Sequence, residues 1–249
     1  MDNKNLKTTL ILITLDEIDG MRWFMPRLKK EWYDELIIMD GGSTDGTVEY
    51  CQDNGYPIFS QSGKGLANAL DEAFELSIND IIVSATTDGS SIPELIPQLI
   101  GKIRQGYDLA IASRYLGPAR SSDDDIFTEF GNRMFTFLIN LFFRAHYTET
   151  LVGFRAFRRS AIKKMYLYRQ DKQGRLKKRF HLLNSWDPAS SIRAAKLKLK
   201  VCEIPGDEPK RIGGRRKASV IKNGSGVLLQ ILHEFIIGCN FSKYFANRK

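Results

Sequence analysis

The sequence predicts an α/β fold in which a mostly parallel sheet is covered by helices on both faces. Three observations support it. Five short apolar runs alternate with segments of helical periodicity, the runs end in stretches rich in Gly, Ser and Asp, and single helices separate the strands. Strands connected by single helices form parallel sheets. The predicted strands are residues 8–15, 35–40, 56–60, 80–85 and 108–113.

Helical patterns fill the intervals between these strands and continue after the last one. Pro93 favours the first position of a helix, because its missing amide hydrogen is not needed there. A longer apolar helix is predicted from about Phe127, and another begins near Pro188. The remaining predicted helices are 20–30, 47–54, 66–76 and 227–237.

Composition places the chain among ordinary globular proteins. Its 249 residues are 43% hydrophobic and 27% charged, which excludes disordered, coiled-coil and collagen classes. No stretch reaches the roughly 20 apolar residues of a membrane span, and the amino terminus predicts no signal peptide. Three widely spaced cysteines favour free thiols in a reducing compartment. We expect one domain over residues 1–220 and an extension, 221–249, with an amphipathic helix and a basic tail.

Charge is unevenly distributed along the chain. Residues 1–154 have 13 Lys and Arg against 23 Asp and Glu, a net charge of −10, whereas residues 155–249 have 24 against 6, a net charge of +18. A basic segment of this kind indicates an anionic partner such as a phosphorylated ligand, a lipid surface or nucleic acid.

Polar and acidic residues follow the predicted strands at their carboxyl ends. In a parallel sheet these ends lie at one edge, where ligands bind. The spacing of a dinucleotide-binding or P-loop glycine motif is absent, so a nucleotide would be held in another way. The candidate ligand-binding residues at these ends are Thr14, Asp16, Glu17, Asp40, Gly42 and Lys64.

The run ELIIMDGGSTDGTVEYCQDNG (35–55) resembles the second-strand signature of family 2 glycosyltransferases, which have the GT-A fold. The runs YDLAIASRYLG (107–117) and LVGFRAFRRSAI (151–162) are similar to the branch that contains dolichol-phosphate mannosyltransferases and other polyprenyl-phosphate glycosyltransferases. The resemblance extends over residues 8–220. It implies a GT-A, Rossmann-like sheet and a nucleotide-diphospho-sugar donor, linked to UDP or GDP, and it assigns the candidate residues at the strand ends to the nucleotide of this donor.

The resemblance also implies roles for single residues. Asp40 matches the carboxylate that contacts the nucleotide, and Asp88 matches the second carboxylate of a D-x-D metal motif whose first position is Thr86 here. We therefore expect Mg²⁺ or Mn²⁺ at Asp88, with the phosphates as further ligands. A metal-independent enzyme stays open.

Arginines suit phosphates because they present a rigid fork of donors. By resemblance, Arg114 and Arg155 lie near the phosphates of the donor, and the Gly-rich segment 210–219 could close over a pyrophosphate. The expected phosphate-binding residues are Arg114, Arg133, Arg155, Arg211 and Lys217.

The acceptor decides whether a base is needed. A saccharide hydroxyl would need one, and Asp187 falls near the family position for it, whereas a polyprenyl phosphate is already ionised. With the second acceptor, Asp187 would bind metal or sugar, or would only cap a helix. The expected catalytic residues are Asp88, Asp187 and Arg114.

A lipid acceptor implies contact with the membrane. The apolar helices after Phe127 and Val227 fit an interfacial position, although core packing, a homodimer or a membrane-protein partner would also use them. We expect a cytoplasmic enzyme, peripheral on the cytoplasmic face of the membrane. The alternatives are a glycosyltransferase acting on a saccharide hydroxyl in cell-surface glycan synthesis and a basic nucleic-acid-binding protein. The acidic residues at the strand ends argue against nucleic acid as a partner.

Overall fold

The computed structural model describes residues 3–168, 185–213 and 220–239. It contains one seven-stranded sheet with the order β3-β2-β1-β4-β6-β5-β7. The strands are β1 (Thr8–Thr14), β2 (Glu35–Asp40), β3 (Ile58–Ser60), β4 (Ile81–Thr86), β5 (Leu109–Ser113), β6 (Arg155–Arg158) and β7 (Val201–Pro205).

Neighbouring strands are parallel except at β6, which is antiparallel to both β4 and β5. The five predicted strands are confirmed, with ends within two residues. The sequence analysis did not include β6 and β7. β6 has an arginine at each end (Arg155 and Arg158), so it does not resemble the apolar run of a central strand.

Eight helices lie among the described residues. The predicted helix 20–30 is shorter than expected, because Pro26 lacks an amide donor and two 3-10 turns follow Phe24. The helices are α1 (Ile18–Phe24), α2 (Thr47–Asp53), α3 (Leu66–Leu76), α4 (Ile96–Arg104), α5 (Ile126–Phe143), α6 (Arg159–Lys164), α7 (Trp186–Lys196) and α8 (Val220–Ile237).

Alternate residues of β1 enter two different cores. Leu10 and Leu12 pack on one face of the sheet with α1 and α4, while Ile11 packs on the other face with α3 and α7. Burial on both faces explains why the strand is an uninterrupted apolar run instead of an alternating one. The sheet is therefore the central layer, as the fold class predicts.

A third, smaller core joins α5, α7 and α8 through Phe135, Ile139, Ile192 and Ile231. The last helix begins at Val220, one residue before the expected start of the extension, and Ile231 is fully buried. Its described part thus packs against α5 and α7. Among the described helices, none combines the length and the apolar character that crossing a membrane requires.

Candidate active site

The carboxyl ends of three parallel strands meet at one edge of the sheet. The register pairs Thr14 of β1 with Asp40 of β2, and Ile13 of β1 with Thr86 of β4. Thr14 is buried, and its hydroxyl has no hydrogen-bond partner among the described residues. An unsatisfied buried hydroxyl is costly, so this atom is a candidate contact for a bound ligand.

Asp40 organises the loop that follows β2. One carboxylate oxygen accepts a hydrogen bond of 2.8 Å from the amide of Gly42, and the other accepts one of 2.5 Å from the Ser43 hydroxyl. Gly42 has a φ of +99°, a conformation that favours glycine. Asp40 is buried at the end of its strand, and the exposed Gly42 lies two residues further along at the same edge.

Asp16 and Glu17 fasten the end of β1 to the loops after β2 and β4. The Asp16 carboxylate accepts a 2.7 Å hydrogen bond from the Thr44 amide, and its own amide donates to the Ser43 hydroxyl. The Glu17 carboxylate accepts a 3.0 Å hydrogen bond from the Thr87 hydroxyl. The structure therefore brings the predicted residues of β1, β2 and β4 together.

Lys64 does not join this group. It lies in the exposed loop before α3, and the structure records no contact of its ammonium group with the strand ends. The predicted role of Lys64 in binding the donor stays a prediction.

Asp88 lies just beyond β4 and is buried. Its Oδ1 accepts hydrogen bonds from the Thr86 hydroxyl (2.9 Å), the Ser90 hydroxyl (2.6 Å) and the Ser90 amide (3.1 Å). Its Oδ2 lies 3.2 Å from Nη1 of Arg211. One oxygen of this carboxylate is thus saturated by neutral donors, and the other faces a cation.

Arg211 belongs to the 206–213 loop, which follows β7 and lies over Asp88. Its Nε lies 3.1 Å from Asp123 Oδ2, and the amide of Ile212 donates a 2.8 Å hydrogen bond to the main-chain oxygen of Asp88. The Cβ of any other residue at Gly89 would come within 2.7 Å of Ile212, so glycine permits this approach. Acidic neighbours raise the pKa of Arg211 despite its partial burial. Arg211 is therefore at the predicted site.

The donor set around Asp88 fits a hard divalent cation, because carboxylate and hydroxyl oxygens are the ligands such ions prefer. Asp88 would hold the ion, and Thr86 and Ser90 already orient its carboxylate. The described residues include no cluster of three or more His, Cys, Asp or Glu side chains that could hold a metal. Water and, when a donor is bound, its phosphate oxygens would complete the coordination.

Arg114 contacts three carboxylates, where a phosphate contact was expected. Its Nε lies 2.7 Å from Glu149, and its Nη1 lies 2.9 Å from Glu208 and 3.3 Å from Asp124. The side chain is buried, and the three carboxylates raise the pKa of the guanidinium although burial opposes this. A phosphate would meet repulsion here. Arg114 instead fixes Glu208 at the base of the 206–213 loop.

Arg155 also departs from expectation. It is fully buried below the sheet edge, and all three of its guanidinium nitrogens donate to protein oxygens within 3.0 Å. The guanidinium is fully buried and already hydrogen-bonded to five protein oxygens, so its position does not support the expected phosphate contact. Its acceptors are the main-chain oxygens of Thr150, Val152 and Asp187 and the hydroxyls of Ser190 and Ser191.

Asp187 is the second residue of α7, whose N-cap is Ser185, so Asp187 does not cap this helix. The pKa of Asp187 is raised to about 6, mainly by burial and in part by the negative charge of Glu149. Arg155 and the Ser185 hydroxyl act in the opposite direction and lower this pKa. The carboxylate lies within 4 Å of the position of a Cβ on Gly153, whose main-chain oxygen accepts a 2.8 Å hydrogen bond from the Ser84 hydroxyl of β4. Asp187 therefore lies next to the segment that leads into β6, close to β4.

Two predicted cations remain, and only Arg133 is described by the structure. Arg133 on α5 is exposed, forms a 2.9 Å ion pair with Glu129 and stacks 4.8 Å from the ring centre of Tyr115. Lys217 lies outside the described residues. The predicted phosphate-binding roles of both stay predictions.

Four acidic residues that the sequence analysis missed complete the arrangement. Their partners are Arg114 and Arg211, whose buried or half-buried charges require counter-ions. The only sequence signal was the acidic stretch SSDDD before α5, which resembles a solvated turn. These residues are Asp123, Asp124, Glu149 and Glu208.

The architecture defines a class first. The chain superimposes on glucosyl-3-phosphoglycerate synthase from Mycobacterium tuberculosis, solved with Mn²⁺, UDP-glucose and glycerol 3-phosphate, with a TM-score of 0.63 at 17% identity, covering 94% of this chain and 80% of the other. The protein thus has the GT-A fold. The profile described as glycosyl transferase family 2 matches residues 27–166, more than half of the chain. The protein belongs to glycosyltransferase family 2.

Two curated relatives come from archaea. Glycosyltransferase AglD of Haloferax volcanii is 29% identical over 206 residues, which cover 80% of this chain and 31% of AglD. Dolichol-phosphate mannosyltransferase of Pyrococcus furiosus is 31% identical over 119 residues, covering 45% of this chain and 34% of the relative. The matched region thus spans about a third of the length of these relatives.

Proposed function

We propose that this glycosyltransferase moves a sugar from a UDP- or GDP-linked donor to a polyprenyl phosphate at the surface of a membrane, with inversion at the anomeric carbon. The observation that carries the proposal is a large exposed apolar face beside the edge of the sheet where Thr14, Asp40 and Asp88 lie, which we call the donor edge. The similarity to a dolichol-phosphate mannosyltransferase supports the same acceptor class.

The donor half of the proposal rests on the strand ends. Asp40 and the unpartnered Thr14 hydroxyl are adjacent in the register, as a ribose or base would require. Asp88 lies beyond the neighbouring strand, where it would hold a Mg²⁺ or Mn²⁺ ion against the diphosphate. When bound, this ion would neutralise charge on the leaving group.

The acceptor half rests on α5 and α8, which pack side by side; the rings of Phe142 and Phe235 are 5.6 Å apart. Twelve of the 17 exposed large hydrophobic side chains of the described residues lie on these two helices, which we call the α5–α8 face. An exposed apolar surface of this kind marks a site of interaction. The twelve are Ile126, Phe127, Phe130, Met134, Phe137, Leu141, Phe142, Leu228, Leu229, Leu232, Phe235 and Ile236.

The α5–α8 face adjoins the donor edge. Arg211 contacts both Asp88 and Asp123, and α5 begins at Ile126, three residues after Asp123. The first exposed side chains of α5, Ile126 and Phe127, are therefore close to the predicted site of transfer. A lipid lying along this face would present its phosphate to the edge that holds Asp88.

The charge of this region favours an anionic lipid surface. Residues 126–144 contain two arginines and one glutamate, and residues 220–249 contain four Lys and Arg and one glutamate, Glu234, which is buried. A net positive charge in segments that also carry an apolar surface adds electrostatic attraction to lipid insertion. We therefore place the protein on the cytoplasmic face of a membrane as a peripheral enzyme.

The transfer needs no proton removed from the acceptor, because a phosphate monoester is ionised at neutral pH. An oxygen of the lipid phosphate attacks the anomeric carbon, a new carbon–oxygen bond forms, and the bond to the nucleoside diphosphate breaks with its electron pair on the leaving oxygen. Asp187 would then orient the sugar. The enzyme contributes alignment and charge stabilisation.

A saccharide hydroxyl is the second candidate acceptor, and the pKa of Asp187 favours it. A buried carboxylate whose pKa is about 6 is suited to act as a general base at neutral pH. In that reaction Asp187→Asn would abolish transfer while donor binding remained. With a lipid phosphate, the same variant would keep measurable transfer.

The deciding experiment incubates the purified protein with membranes and a panel of labelled UDP- and GDP-sugars. We expect label in the organic-solvent phase, less of it with Asp88→Asn, and less with a chelator. Label found only in water-soluble glycan would overturn the lipid acceptor and support the saccharide. Salt-dependent binding to nucleic acid that is unchanged in Asp40 and Asp88 variants would contradict the assignment of an enzymatic function.

A further inference from the structure

The carboxylate of Asp88 already has a cation on one oxygen. Its Oδ1 is saturated by Thr86 and Ser90, so Oδ2 is the oxygen open to a cation, and Nη1 of Arg211 lies 3.2 Å from it. The carboxylate is 5% exposed, which leaves little room for a second positive group. Two cations at one such oxygen would repel each other.

Arg211 is held in this position by more than Asp88. Asp123 binds its Nε at 3.1 Å, and Arg114 holds Glu208 three residues before it. The amide of Ser122 also donates a 2.8 Å hydrogen bond to the main-chain oxygen of Glu208. The 206–213 loop is thus attached to the segment before α5, independently of Asp88. Release of Asp88 would leave these attachments in place.

We propose that Arg211 and a divalent cation are alternative partners of Asp88, so that metal binds only when the guanidinium leaves Oδ2. The proposal rests on the proposed function in one respect: the diphosphate of the donor would bring the metal to the site. Arg211, still attached to Asp123, would then be available to pair with the diphosphate. Thr86 stands where the metal motif has its first carboxylate, so this position adds no negative charge that would compensate for the arginine.

The test measures Mn²⁺ binding without any nucleotide, by electron paramagnetic resonance of the free ion. Arg211→Gln removes the charge from Asp88, and Lys210→Gln removes the same charge from the exposed neighbouring residue. We expect Arg211→Gln to bind Mn²⁺ about tenfold more tightly than the unaltered protein, or to bind it where the unaltered protein does not, and Lys210→Gln to change affinity less than about twofold. Arg211→Lys, which keeps the charge, should resemble the unaltered protein.

A double variant locates the effect. Adding Asp88→Asn to Arg211→Gln should abolish the gain, since the ion then lacks its carboxylate. Thermal unfolding of each variant, without metal, checks that the fold is intact. Equal or weaker Mn²⁺ binding by Arg211→Gln, no binding by either protein, or an equal gain in Lys210→Gln would overturn the proposal. These outcomes involve no sugar, so they are separate from those of the transfer assay.

Discussion

Arg193 of α7 and Glu234 of α8 form an ion pair with 2.6 Å between Nη2 and Oε1, and both side chains are 1% exposed. Lys196 adds a second cation, with Nζ 2.7 Å from the other carboxylate oxygen. The described part of α8 is therefore fixed to the domain by a buried charge network as well as by Ile231. This network orients the α5–α8 face.

Glu234→Gln should destabilise the protein by about 3–5 kcal/mol, because it leaves Arg193 buried without its counter-ion. The matched control is Glu129→Gln, which breaks the exposed pair with Arg133 and should cost less than about 1 kcal/mol. Urea unfolding at pH 7 measures both. A similar small effect for the two variants would show that the buried pair does not hold α8 in place.

Arg114→Met should also destabilise the fold by about 3–5 kcal/mol, since Glu149, Glu208 and Asp124 lose their shared cation. The loss of stability should be smaller at pH 5 than at pH 8, because carboxylates that no longer contact Arg114 can take up protons at the lower pH. Denaturant unfolding at the two pH values tests this. Arg114→Lys, which retains the charge but not the fork, should lie between the variant and the unaltered protein. A loss independent of pH would contradict the role assigned to the carboxylates.

Asp187 predicts a specific pH dependence of stability. Its pKa is about 6 in the folded protein and 3.8 for an aspartate outside a folded structure, so the folded state binds the proton more tightly. The group therefore contributes stability below pH 4 that is lost as the pH rises through about 6. The contribution amounts to up to about 3 kcal/mol.

The comparison with Asp187→Asn isolates this contribution from those of Glu203 and Glu208, whose pKa values burial also raises. The difference in unfolding free energy, variant minus unaltered protein, should increase between pH 4 and pH 7. Equilibrium unfolding in urea across this range provides the measurement. A constant difference would mean that Asp187 is already ionised at pH 4.

Substitutions on the α5–α8 face should weaken membrane binding without changing the fold. Phe127→Ser combined with Phe130→Ser should reduce sedimentation with anionic vesicles at least about tenfold, since each buried aromatic side chain contributes about 2 kcal/mol or more. The control is Ile78→Ser, because Ile78 is 78% exposed, close to the 82% of Phe127, and is not on α5 or α8. If vesicle binding persisted and the oligomeric state changed, the face would be a protein interface.

Asp40→Asn should weaken binding of UDP or GDP by about tenfold or more, because charge-assisted hydrogen bonds contribute about 1.5–3 kcal/mol each. Asp53→Asn removes a carboxylate from the exposed end of α2 and should have no effect. Titration calorimetry with both nucleotides provides the comparison. Unchanged affinity in Asp40→Asn would remove this carboxylate from the donor site.

The sequence was sufficient to predict the strands whose residues are buried on both faces, because β1, β2, β4 and β5 are continuous apolar runs. It was also sufficient for the grouping of Asp16, Glu17 and Asp40, since parallel strands bring their carboxyl ends to one edge. It did not predict β6. Arg155 lies in the sheet there, and its burial depends on acceptors on α7 and on the main-chain oxygens of Thr150 and Val152.

The arginines show why the site was only partly predictable. Arg114 and Arg211 both stand in basic or polar segments, yet one is enclosed by carboxylates and the other lies on Asp88. The difference depends on Glu149, Glu208 and Asp123, residues far away in sequence. Residue type and spacing indicate that a guanidinium is available, whereas the partner is decided by the fold.

The single reversed strand, β6, has a consequence for how such a protein can diverge. The chain leaves the sheet after Ser113 and returns at Arg155, and everything between these points, including α5, lies outside the β1–β4 framework that carries Asp40 and Asp88. Evolution can therefore remodel this excursion while the strand framework that ends at Asp40 and precedes Asp88 stays unchanged. Since the proposed acceptor surface includes α5, changes in this continuous stretch of the gene would alter one of the two helices that form it.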